Sequence, residues 1–272
     1  MSFDAQVYHE HFASRDDSYA STTLCKRISW QHSANGLIIV DREDQTPFTG
    51  FIVGRVSPWN LKCGTTGNYL KKGGLEKAKY QLHLMRPTDK ILGRDFDAAI
   101  TNLETMQKVA GTTGDHRNMV IRDVTGEMLR VTANVFEQRP ARIPDSPHGK
   151  RAPDAPKMDS ITESWVIPTD LEDQFELVKY THRAVPLPVF EDGQAIPPLD
   201  ANRTLDGALV EVHFTVLQWH VQGYDTFLAK AGRINILKRS VSVASKHPLS
   251  DVDDDQPVHK KHETAIASGS KD

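Results

Sequence analysis

Apolar and polar residues alternate with a period of two in several segments of this chain, the pattern of strands with one buried face. The first expected strand is the continuous apolar run 36–40 (GLIIV). After the turn-like DREDQTP comes 48–56 (FTGFIVGRV), where Gly50 and Gly54 predict bulges or sharp bends in a strand curling around a small barrel. Residues 80–85 set Tyr80, Leu82 and Leu84 against Gln81, His83 and Met85. Two further strands are expected over 119–122 and 128–136. In the second, Leu129, Val131, Ala133 and Val135 face one way, and Arg130, Thr132, Asn134 and Phe136 the other. The clearest alternation is 208–218, where Val210, Val212, Phe214 and Val216 interleave with Glu211, His213, Thr215 and Leu217. A turn at Gln222-Gly223 leads into 226–237, which predicts a closing hairpin with a basic end. One segment, 95–109, has a helical period instead, with Phe96, Ile100, Leu103 and Met106 at three- and four-residue steps.

The remaining chain sets the domain organisation. Residues 1–35 are polar and mixed and predict a loosely attached N-terminal arm. The stretch 139–160 holds five prolines without periodicity and predicts a long exposed loop insertion. Residues 161–178 are acidic and ambiguous, and 185–206 carry further prolines around a turn at Glu191-Asp192-Gly193. From 240 to 272 the chain is polar with an acidic run at 251–255, which predicts a disordered tail. The expected fold is therefore mainly β: an OB-like small β-barrel over 36–239, with one amphipathic helix and long proline-rich loops.

Composition narrows the class. With 272 residues, 38% hydrophobic and 25% charged, the chain is too apolar for wholesale disorder. No apolar run approaches the roughly 18–20 residues of a membrane-spanning helix, so no membrane partner is expected. The N-terminus MSFDAQVYHEHF has no basic stretch followed by an apolar one, so no secretory signal is expected. Two cysteines make neither a disulfide framework nor a Cys-based zinc site, and the expected location is intracellular. The net charge of −3 conceals segregation. Residues 62–90 contain seven Lys/Arg against two acids, and 159–211 contain eleven acids against three bases. The stretch 228–247 has five bases and no acid, so a polyanion could be bound wherever basic stretches share a surface.

No nucleotide-loop, metalloprotease, serine-hydrolase or kinase motif is present, and no catalytic residue, metal site or cofactor is expected. GTTG at 64–67 and 111–114 reads as a simple turn, and His9 and His11 lack a third ligand. Bases are interleaved with rings instead: Trp59 with Lys62, Tyr69 with Lys71 and Lys72, Tyr80 with Lys77 and Lys79, Phe136 with Arg139. A cationic groove with stacking rings is how single strands are held without strong sequence preference. The candidate phosphate contacts are Lys62, Lys71, Lys72, Lys77, Lys79, Arg130 and Arg139. The candidate stacking rings are Trp59, Tyr69, Phe136 and Trp219. Trp219 shares the parity of Glu211, His213 and Thr215 and so belongs on the outer face, whereas Tyr80 shares that of Leu82 and Leu84 and belongs in the core.

Three segments together carry a resemblance: KKGGLEKAKYQLHLM (71–85) followed by a helix, LRVTANVFEQRPARIPD (129–145), and GALVEVHFTVLQWHVQGYDTFLAKAGRINILKR (207–239). Their order is similar to that of bacteriophage single-stranded-DNA-binding proteins with an OB fold. The resemblance implies binding of single-stranded nucleic acid, DNA before RNA, in replication, recombination or repair. It also implies an acidic tail that recruits replication or repair proteins. Here Lys260, Lys261 and further residues follow the acidic run, a departure from that family's acidic C-terminus. A β-sandwich or jelly-roll structural or viral assembly protein is the alternative that long loops and polar ends also suit.

Overall fold

The computed structural model describes residues 3–13, 15–34, 36–69, 73–113, 116–117, 119–124, 126–143 and 157–240. Its framework is β1 (Ile28–Ser33), β2 (Gly36–Asp41), β3 (Gly50–Val56), β4 (Lys79–Met85), β5 (Gly126–Asn134), β6 (Leu209–Val221) and β7 (Tyr224–Lys238). Two helices matter most, α1 (Ala5–Ala13) and α2 (Lys90–Ala110).

Five of the strands close a ring. β3 pairs antiparallel with β4 and β4 with β5, β5 runs parallel to β7, and β7 returns antiparallel through β6 to β3. Counting these five in chain order, the ring reads 1-2-3-5-4-1 with its parallel contact between the third and fifth. This is the strand order of an OB-type barrel. A single closed ring also rules out the two facing sheets of a sandwich or jelly roll.

The alternation seen in the sequence is what closes it. Val210, Val212, Phe214 and Val216 of β6 point inward with Leu129 and Val131 of β5 and Tyr80, Leu82 and Leu84 of β4, all buried. Each such side chain contributes about 1.5–3 kcal/mol relative to an exposed position. The barrel bends through register shifts between β6 and β7, at Leu209/Val210 and His213/Phe214, and not through bulges at Gly50 and Gly54. Gly54 serves close approach: a Cβ there would meet the Cβ of Leu84 at 2.9 Å. Gln222 and Gly223 both adopt positive φ (50° and 86°), the two-residue turn whose twist matches a tight hairpin.

Helix α2 begins at Lys90, five residues before the expected 95–109, because the Asp89 carboxylate caps the amides of Ile91 and Leu92, and Leu92 already joins the buried face. Its buried face, including Phe96, Ile100 and Leu103, packs against the barrel.

The expected loose arm is instead integrated. Tyr19, Leu24 and Ile28 enter the core, and β1 pairs with β2 along its whole length. The Tyr19 hydroxyl donates to the Phe214 carbonyl at 3.0 Å, and the two rings stack at 4.4 Å. A few anchors at irregular spacing do this, which is why a periodicity reading passes over them.

Of the proline-rich insertion, 144–156 lies outside the described residues, as does the whole tail 241–272 with its acidic run. Among the described residues no helix is long and apolar enough to cross a membrane.

Candidate nucleic-acid interface

Barrels of this topology bind strands on the outer face of their second and third strands and on the loops joining strands one to two and four to five. In this chain those parts are β4, β5, the connection 57–78 and the turn at 222–223. Parity alone places Lys79, Gln81 and His83 of β4 outward, beside their cross-strand partners Asn134, Thr132 and Arg130 of β5. The face continues across the parallel junction, where Thr132 is paired with Lys230 of β7, and onward to Thr215 of β6.

A concavity of about 410 Å³ opens on this face. Lys79, Thr132, Asn134, Trp219, Leu228 and Lys230 line it, and none of the described residues lining it carries a carboxylate. Trp219 is half-buried there, on the outer side of β6. Among the described residues Lys79 and Lys230 form no ion pair. Many arginines, by contrast, are held by carboxylates: Arg27 by Asp41, Arg86 by Asp97, Arg183 by Glu137, Arg239 by Glu191. The lysines of the face have no such carboxylate partner among the described residues.

Further along β4 and β5, Arg130 Nε lies 3.4 Å from His83 Nε2. Burial, reinforced by the guanidinium, holds the His83 pKa below the ordinary imidazole value, and burial lowers that of Arg130 as well. The imidazole is therefore neutral near pH 7 and accepts at Nε2.

The other sequence candidates divide. Lys62 is exposed and bridges β4 through backbone hydrogen bonds with Gln81 (2.8 and 3.0 Å). Lys77 is exposed on the single turn Leu75–Lys77, and Trp59 is 74% exposed on the same connection. Tyr69 is half-buried and its hydroxyl donates to Gln174 Oε1 at 2.6 Å. Lys71 and Lys72 lie outside the described residues.

Two candidates are corrected. Phe136 is 2% exposed and packs on Phe175, so it offers no ring to a base. The strand expected over 128–136 ends at Asn134, and Phe136 starts a separate two-stranded ribbon, Phe136–Gln138 with His182–Ala184. That restart reverses its parity. Arg139 is also turned inward, donating to the carbonyls of Lys179 and His182 and pairing with Asp159 at 2.6 Å. The structure adds Lys230, Asn134 and Thr132, which are absent from the sequence candidates. The signal for Lys230 is its outward parity within the basic 228–247 stretch.

No family model matches this sequence, and no curated protein does. Among solved structures, gp2.5, a single-stranded DNA-binding protein encoded by bacteriophage T7, is similar at TM-score 0.42 and 10% identity, over 73% of this chain and 96% of that one. The single-stranded DNA-binding protein from bacteriophage Enc34, in complex with ssDNA, is similar at TM-score 0.40 and 9% identity, over 79% of this chain and 97% of that one. At these values the fold assignment rests on the strand order of the ring itself.

Proposed function

We propose that this protein binds single-stranded nucleic acid, DNA in the first place, without making or breaking a bond. The carrying observation is that Lys79, Lys230 and the half-buried indole of Trp219 share one carboxylate-free concavity on the β4–β5–β7–β6 face. Such a site supplies both parts of strand coating: cations for phosphates, and a ring on which a base stacks. A base already paired and stacked in a duplex cannot reach that ring, so the site favours single strands. Exposed Lys62, Lys77 and Trp59 extend the track along the connection 57–78. The biological role that follows is protection of strands opened in replication, recombination or repair, with the acidic run at 251–255 as a docking sequence for partner proteins.

Fluorescence anisotropy with single-stranded and duplex oligonucleotides over a salt series tests this. Single strands should bind more tightly, and K79A/K230A should flatten the log–log salt slope by about 1.4, or about 0.7 for each phosphate no longer neutralised. Equal affinity for duplex, or an unchanged slope, overturns the reading.

A further inference from the structure

Among the described residues, one buried side-chain polar atom has no hydrogen-bond partner: the hydroxyl oxygen of Thr132. Leaving such a group desolvated and unpaired is costly, and most proteins avoid it. Thr132 is 5% exposed, stands at the centre of β5 between Gln81 and Lys230, and lines the concavity that holds Trp219. The hydroxyl both donates and accepts, so it matches the polar edge of a nucleobase. Asn134, two residues on and on the same face, adds an amide with both capacities.

Resting on the strand-binding reading, we propose that the concavity is a pocket for a single nucleobase, which stacks on Trp219 and completes the hydrogen bonding of Thr132. Lys230 is the cross-strand neighbour of Thr132. Movement of its long side chain onto a backbone phosphate gives the base access to the hydroxyl. The protein then coats strands generally but discriminates among bases at this one position. The unpaired hydroxyl is stability given up in the free protein for a contact made in the complex.

Affinities of wild type, Thr132→Val and Thr132→Ser for oligo(dT), oligo(dC) and oligo(dA) test this, together with melting temperatures of the free proteins. Thr132→Val keeps the shape and removes the hydroxyl. It should melt higher than wild type while its affinity for the preferred homopolymer falls about 3–10-fold, one hydrogen bond's worth, and discrimination shrinks. Thr132→Ser should retain discrimination. If Thr132→Val leaves every affinity unchanged, or lowers all three equally, the base pocket is wrong. In either case an altered salt slope in K79A/K230A would leave the strand-binding reading standing. If no single strand binds at all, both fail.

Discussion

The buried Asp225 carboxylate accepts hydrogen bonds from both the amide (2.6 Å) and the hydroxyl (2.9 Å) of Thr113. Thr112 repeats the pattern at 2.7 and 3.1 Å, and Gln218 adds a further donor at 3.0 Å. Thr112 and Thr113 of the second GTTG segment therefore wrap an anion, but the anion belongs to their own chain, and the clasp ties the end of α2 to the closing hairpin. Burial alone would raise the pKa of Asp225. The Thr113 amide and hydroxyl and the Thr112 amide outweigh it and hold the carboxyl well below the usual carboxylate range. Because folding lowers this pKa, the associated stability is fully present above about pH 4 and is lost as pH falls further. Asp225→Asn should lower stability near neutrality by about 1–3 kcal/mol and flatten the acid limb of the stability curve. Urea unfolding across acid pH checks both, and an acid limb identical to wild type would show that the clasp is not the titrating element.

Trp219 and Phe136, equal candidates on ring chemistry, should separate cleanly. Trp219→Ala should weaken single-strand binding by about 1–3 kcal/mol while the protein remains folded. Phe136→Ala should instead cost about 3–5 kcal/mol of stability, because it empties a buried site against Phe175. Binding isotherms below the melting transition, paired with thermal unfolding, distinguish the two.

Arg139→Ala provides a control for charge. Its guanidinium is engaged by Asp159 and two backbone carbonyls, so its loss should lower stability by roughly 1–3 kcal/mol. The salt slope of single-strand binding should not change. A flatter slope would return Arg139 to the interface.

Tyr19→Ala tests whether the N-terminal segment is part of the domain. Removing a ring that is fully buried on Phe214 should cost about 3–5 kcal/mol. A dispensable arm would lose almost nothing. Chemical denaturation measures the difference.

The barrel strands are legible because inward and outward residues alternate in β4, β5 and β6 with little interruption, and Gly223 supplies the turn with a residue suited to positive φ. The parity that puts Tyr80 inside and Trp219 outside holds for the same reason. Where the chain leaves one sheet for another, as between Asn134 and Phe136, parity restarts, and nothing local announces it. The N-terminal anchors Tyr19 and Leu24 are not legible, because their burial depends on distant strands and not on a local period.

The amino-acid order by itself determined the two-residue periodicity, the amphipathic helix and the closing hairpin, which act over a few neighbouring residues, and the segregation of charge along the chain. Tertiary structure alone decided ring closure and the placing of Lys79 beside Lys230 and Trp219. It also decided the capture of Arg139 by Asp159 and the orphaned hydroxyl of Thr132. Those outcomes depend on strands far apart in the chain meeting at a particular register, and a side chain's availability to a ligand is set by whichever neighbours that meeting brings.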